Sequence, residues 1–336
     1  MIKLNRTNTL QFFNLLKETE NVLIFSHVNP DGDAVGSSLA LVAAFKSINI
    51  NTKVVLPNRA PENLRWLPNF ECIVEGLSKS NVKALIETSD LVICVDFNQS
   101  SRVEKYAALL DECTKPIVLI DHHQNPKLNA TISFTDTSVS STCELVHLIL
   151  KQNPDIIFNE NYATCIYVGI ITDTGVFSYS SSHAELFQTV IALINLGIKK
   201  DYITQQIYNT QSENRLRFLG YTLNERMIVM PELNTAYIFL TLEDQKKFNY
   251  QPGDAENFVN YPLTIKDIRF TALFQEREND VKISFRSEGQ FKVNQFAEKY
   301  FNGGGHVNAA GGKSHISITE TLENFIKHTK EHAHEI

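Results

Sequence analysis

Residues 90–96, DLVICVD, and residues 116–123, PIVLIDHH, decide the fold. Each is an unbroken apolar run, rich in Val and Ile, that closes on an aspartate. A strand with one wet face alternates apolar and polar side chains, whereas a continuous apolar run suits a parallel strand buried on both faces. Working outward, VLIFSH (22–27) and TKVVLP (52–57) read the same way. Helical stretches lie between them, among them SSLALVAAFKSI (37–48), NVKALIE (81–87) and SRVEKYAALL (101–110). Strands alternating with helices predict a doubly wound, mostly parallel α/β sheet.

Further along, STCELVHLILKQ (141–152), NYATCIYVGIITDTG (161–175) and AELFQTVIALINLG (184–197) read as helices, the last ending in a glycine suited to a helix C-terminus. The 336 residues exceed what one compact core usually absorbs, so two domains are expected. The polar, helix-prone stretch 199–220 is the natural join, with the boundary near residue 210. We assign 1–200 to the first domain, 201–215 to a connector and 216–336 to a smaller α+β domain. That second domain has strand candidates MIVMPE, TAYIFLTL, IRFTALFQE and VKISFRSE, several at hairpin-like spacing, followed by two helical pieces.

The composition, 43% hydrophobic and 21% charged, is that of a soluble globular protein. No signal-peptide pattern opens the sequence, and no apolar run approaches the ~20 residues of a membrane span. Five scattered cysteines, never in CxxC spacing, argue against a disulfide framework or zinc ribbon and for a reducing, cytoplasmic setting. A net charge of -7 without a basic stripe excludes a protein that grips long duplex nucleic acid. A nucleic-acid partner should be short and held by a few well-placed groups.

Three strands carry a metal-capable residue at their ends: His27, Asp96 and Asp121. In open α/β sheets ligands bind beyond the carboxyl ends of the strands, so these tips should converge. SHVNPDGDAVGSS (26–38) adds Asp31 and Asp33 in a turn freed by Gly32 and Gly36, a carboxylate-and-imidazole set suited to a hard or borderline divalent ion. A plain turn ahead of a helix N-cap is the alternative. Asp96 alone would serve equally as a helix cap. Asp121, His122 and His123 are hard to explain as packing: one imidazole can bind metal, its neighbour can face substrate, and Asp121 can orient a ring. Asp173 follows a long apolar helical stretch, where a carboxylate is costly unless paired or metal-bound. In FNGGGHVNAAGG (301–312), Gly303, Gly304 and Gly305 before His306 let backbone approach a ligand and form an anion nest, and Arg286 can fork onto a phosphate.

Together these residues resemble the DHH phosphoesterases: HxxPDGDAxGS at 27–37, Asp96 on its strand, DHH at 121–123 and DTG at 173–175. GGGH at 303–306 and FRS at 285–287 resemble the DHH-associated C-terminal domain. The resemblance covers essentially the whole chain and is greatest to the oligoribonuclease and PAP phosphatase branch of the family. It implies two divalent ions, taken as manganese. One would be held by His27, Asp31 and Asp96, the other by Asp33, Asp96, His122 and Asp173, with Asp96 bridging. It implies that His123 touches the scissile phosphate, that Arg286, Ser287 and Arg102 hold substrate phosphate, and that Gly303, Gly304, Gly305 and His306 approach the nucleotide. Ser140, Ser141 and Thr142 match a family stretch that supports the site. The implied substrates are short 5′-phosphorylated oligoribonucleotides and 3′-phosphoadenosine 5′-phosphate, with no membrane partner and with homodimerisation left open. A cyclic-di-AMP or pApA phosphodiesterase is a rival enzyme, and a nucleotide-binding regulator with a silent metal site is a rival of another class. The full ligand set disfavours the regulator. A manganese pyrophosphatase would lack GGGH, and a single-strand DNA exonuclease of the family would need further domains.

Overall fold

The computed structural model describes residues 5–336, which divide into two compact units, one ending at Thr210 and the other spanning Gln211–Ile336. The 201–215 stretch holds most of one helix and the start of the next, with residues 209–212 between them.

In the first unit six strands form one parallel sheet: β1 (Asn21–Phe25), β2 (Asn51–Leu56), β3 (Ile73–Glu75), β4 (Leu91–Val95), β5 (Ile117–Asp121) and β6 (Ile132–Thr135). Their order is β3-β2-β1-β4-β5-β6, with every pairing parallel. The mixed α/β class and its doubly wound sheet are therefore as the apolar runs predicted. Alternate residues of one strand feed opposite cores: Val22 and Ile24 of β1 join one cluster, Leu23 and Phe25 the other. Helices α1 (Arg6–Lys17) and α2 (Gly32–Lys46) pack into the first of these cores, and α3 (Lys79–Thr88) and α4 (Ala107–Asp111) into the second. Helices α5 (Thr142–Leu150), α6 (Glu160–Asp173), α7 (Ala184–Asn195) and α8 (Lys200–Tyr208) complete the unit.

Helix α2 is buried from Gly32 to Phe45 and lies against α6 at close range. Gly36 allows this approach: a Cβ there would sit 2.6 Å from the Cys165 carbonyl oxygen, a backbone atom that cannot step aside. The predicted strand boundaries shift slightly. The first strand stops at Phe25, two residues short of His27, and the short β3 and β6 had no clear sequence signature.

The second unit starts with α9 (Glu213–Tyr221) and contains β7 (Met227–Met230), β8 (Thr235–Leu240), α10 (Leu242–Lys247), β9 (Phe270–Glu276), β10 (Val281–Ser287), α11 (Val293–Tyr300), β11 (Gly304–His306), β12 (Ala309–Ser314) and α12 (Ile318–Glu331). The sheet order is β11-β12-β10-β9-β8-β7. Hairpin-like spacing is realised at β7–β8 and β9–β10, but β8 and β9 run parallel, joined by a crossover over residues 241–269. The glycine-rich stretch is a strand hairpin rather than an open loop, since β11 pairs antiparallel with β12. Phenylalanines 270, 274, 285, 291, 296 and 325 fill the core on one face of this sheet, with α11 and α12. Among the described residues no helix is long and apolar enough to cross a membrane.

Candidate active site

The carboxyl ends of β1, β4 and β5 are adjacent at the point where the strand order reverses. His27 follows β1, Asp96 follows β4, and Asp121 is the last residue of β5. Helix α2 starts at the same edge, with Asp31 as its N-cap accepting from the amides of Asp33 and Ala34. Asp173 is the last residue of α6. The tight packing of α2 on α6 thus brings residues 31, 33 and 173 to one place.

Two groups of three result. His27, Asp31 and Asp96 form one, and Asp33, His122 and Asp173 the other; within each, the ligand-capable atoms lie within 4.8 Å of one another. Asp96 serves both: Oδ2 is 3.3 Å from His27 Nε2, and Oδ1 is 3.8 Å from His122 Nε2. His122 Nε2 is also 3.3 Å from Asp173 Oδ2 and 3.9 Å from Asp33 Oδ2. A third group, Asp96, Asp121 and His123, adjoins them. There His123 Nδ1 donates to Asp121 Oδ1 at 2.7 Å, and a carboxylate acceptor fixes that tautomer.

The backbone supports this arrangement at a cost. Asp96 sits at φ 65°, in the left-handed region, a strain of order 1–3 kcal/mol where it is unsupported. Its side chain is held by the Thr142 hydroxyl, which donates to Oδ1 at 2.9 Å. The start of α5 also grips Asp33: Thr142 N–H donates to Oδ2 at 2.6 Å and Cys143 N–H to Oδ1 at 2.9 Å. A helix N-terminus presents such amides to an anion, and its dipole favours the charged carboxylate.

The electrostatics define the kind of ligand this donor set suits. Burial, and then the charges of Asp33, Asp31, Asp173 and Asp121, push the Asp96 carboxyl well above the usual carboxylate range. Burial holds the imidazoles of His27 and His122 below their ordinary value, so both are neutral, ligand-ready bases. For His27 the nearby Asp31 opposes this effect and the Arg102 charge adds to it. Asp121 Oδ2 is buried without a hydrogen-bond partner. Packed carboxylates with neutral imidazoles form a donor set that fits divalent cations, which supply the compensating charge.

The residues expected to hold substrate are distributed over both units. Arg102 is exposed on the 3-10 segment after β4, and its carbonyl accepts from Val28 N–H beside His27. In the second unit Arg286 and Ser287 end β10, while Gly304–His306 form β11. The Ser287 hydroxyl donates to the Phe291 carbonyl and accepts from Asn308 Nδ2. Its single proton is thus committed to shaping the 287–291 turn.

Sequence reading missed one supporting pair. Glu144, fully buried in α5, accepts from Ser140 N–H at 2.7 Å and from His183 Nε2 at 2.9 Å. It braces the turn that holds Thr142 against Asp33 and Asp96. The S-x-x-E spacing of Ser141 and Glu144 was a legible helix-start signal. Nothing local marked His183 as its partner.

A doubly wound sheet with carboxylates and imidazoles gathered at its switch point defines a metal-dependent hydrolase. Residues 21–170 match the DHH family, N-terminal domain, and residues 234–335 match the DHHA1 domain. The bifunctional oligoribonuclease and PAP phosphatase NrnA of Mycoplasma genitalium is 30% identical over 89% of this chain and 90% of its own length. The crystal structure of an exopolyphosphatase-related protein from Bacteroides fragilis is similar at a TM-score of 0.94 with 36% identity, covering 99% of this chain and 98% of that one. RecJ from Thermus thermophilus, solved with Mn2+, shares the fold alone, at a TM-score of 0.57 and 14% identity over 98% of this chain and 55% of that one. The chain belongs to the DHH family of phosphoesterases. It is a metal-dependent phosphoesterase.

Proposed function

We propose that the protein hydrolyses short 5′-phosphorylated oligoribonucleotides and 3′-phosphoadenosine 5′-phosphate with two divalent ions, manganese in the first instance. The observation that carries the two-ion reading is Asp96, whose two oxygens face two separate groups of ligand-capable atoms. His27, Asp31 and Asp96 would hold one ion, and Asp33, Asp96, His122 and Asp173 the other. When bound, such a pair supplies a hydroxide nucleophile near neutral pH and stabilises charge on the displaced oxygens.

The chain's own side chains do the rest. The α5 amides hold Asp33 in place, and Thr142 holds the rotamer of Asp96. Asp121 fixes the ring of His123 through Nδ1, and His123 would meet a phosphoryl oxygen through Nε2. With a proton on Nε2 as well, His123 donates to that oxygen or passes the proton to the leaving group. Arg102 and Arg286 would neutralise substrate phosphates, and Gly303, Gly304, Gly305 and His306 would approach the nucleotide. The likeness to the Mycoplasma NrnA over most of both chains supports this substrate class.

The test is side-by-side turnover of pApA, 3′-phosphoadenosine 5′-phosphate, cyclic di-AMP and pyrophosphate with manganese. Release of mononucleotide from pApA, with loss of both activities in Asp96→Ala, is expected. Preferential turnover of cyclic di-AMP or pyrophosphate would move the protein to another branch. Tight nucleotide binding without release would make it a regulator.

A further inference from the structure

The two groups of ligand-capable atoms are not supported in the same way. The Asp33 side chain is 1% exposed, and the amides of Thr142 and Cys143 grip both its oxygens. Asp31, its counterpart in the other group, has a side chain 59% exposed. Its Oδ1 caps the amides of Asp33 and Ala34, and its Oδ2 faces His27 Nε2 at 3.9 Å. Where Asp31 stands therefore depends on Val28, Asn29 and Pro30, the loop that joins His27 to the start of α2.

That loop is tied to its neighbours. Val28 N–H donates to the Arg102 carbonyl at 2.8 Å. Asn29 is held by Asn58, from the loop after β2: Asn58 Oδ1 accepts from Asn29 N–H at 2.6 Å, and Asn58 Nδ2 donates to Asn29 Oδ1 at 3.3 Å. Asn29 has φ 55°, in the left-handed region, which asparagine tolerates better than most residues but which persists only where its surroundings support it. The Asn58 amide supplies that support, and its own loop is anchored in turn. Ala60, two residues on, donates its N–H to Glu75 Oε1 at 2.8 Å. Arg65 Nη2 donates to both Glu75 oxygens, at 2.8 and 2.6 Å. A run of hydrogen bonds thus leads from the end of β3, at the edge of the sheet, to the residue midway between His27 and Asp31.

We propose that Asn58 is a positioning residue for the ion held by His27, Asp31 and Asp96, and that the two ion sites are braced by separate networks. The Asn58 amide fixes the backbone at Asn29 and so holds the Asp31 carboxylate against His27. The α5 network grips Asp33 and Asp96 and does not pass through Asn58. The proposal rests on the two-ion reading and adds to it that one site can be weakened without the other.

The experiment is manganese titration of the metal-free full chain, followed by loss of the free-ion paramagnetic resonance signal, with the spectrum of the bound ions recorded at each step. Wild type should take up two ions and give the spectrum of a spin-coupled pair. Asn58→Ala should bind one ion about 10- to 100-fold more weakly and the other within about twofold of wild type. At ratios where wild type is coupled, that variant should show an uncoupled, single-ion spectrum. Asn58→Asp, which keeps an acceptor for Asn29 N–H, should recover most of the loss. In an Asp31→Asn background, where the affected site is already disabled, adding Asn58→Ala should leave the affinity for the remaining ion unchanged. Thermal melting in chelator checks that each variant folds. Equal weakening of both ions, weakening of neither, or a further loss in the Asp31→Asn background would overturn the role of Asn58 while leaving the two-ion reading intact. A wild type that binds a single ion would instead remove that reading.

Discussion

Asp96 and Thr142 show how much of this site is set by single contacts. Asp96→Ala removes the carboxylate shared by both ligand groups, so phosphoesterase turnover with manganese should fall to background while the far-UV spectrum stays unchanged. Thr142→Val deletes only the hydroxyl that steadies Asp96, and changes to groups that orient metal ligands typically cost 10- to 100-fold in affinity. Titration of the metal-free protein with manganese should show a loss of about that size, and unchanged affinity would remove Thr142 from the support. His147, buried on α5 with its Nδ1 at 3.2 Å from the Tyr162 hydroxyl, carries a pH signature. Burial lowers its pKa from 6.5 to about 4. Between those values the unfolded chain binds the proton and the folded one does not. Stability is therefore complete above pH 6.5 and falls as the pH drops toward 4, by up to about 3 kcal/mol. Denaturant melts of wild type and His147→Gln across that window should show a shallower decline in the variant.

At the scale of elements, the helix pair α2–α6 does what the sequence only partly announced. Long apolar strands and metal-capable strand tips were readable because a parallel strand buried on both faces leaves an unbroken apolar run. The second layer was not. Gly36 looked like freedom for a turn, yet it lies within α2 and permits the approach of α6, which carries Asp173. Gly36→Ala should cost about 1–3 kcal/mol by overpacking and should also weaken manganese binding, as measured by melting and metal titration on the same sample. β3 and β6, at three and four residues, are too short for a period to register. β11 is glycine-rich and has almost no side chains to carry a pattern, so the pairing in its hairpin had no signal in the sequence. The parallel β8–β9 contact depends on a crossover, which local spacing does not report. Glu144 was visible as a helix-start residue, but its bond to His183 joins segments distant in sequence. His183→Leu should loosen the first turn of α5 and lower metal affinity, and His183→Gln, which keeps an N–H donor, should restore it.

For the whole molecule, every metal-capable residue of the two groups lies in the unit ending at Thr210, and each unit has apolar cores of its own. Manganese should therefore raise the melting temperature of the first unit and leave the second unchanged. The gain should reach about 2.7 kcal/mol at a hundredfold excess over Kd. Differential scanning calorimetry of the full chain with and without chelator would reveal this, and a uniform shift of all transitions would contradict it. The left-handed backbone at Asp96 also bears on how such an enzyme is lost or improved. Glycine at that position relaxes the strain and removes a crowded negative charge, so Asp96→Gly should outlast the parent on heating in chelator while being inert. A library screened for thermal endurance alone would climb toward dead proteins at this codon, and only a screen that demands turnover in every round would hold the aspartate in place.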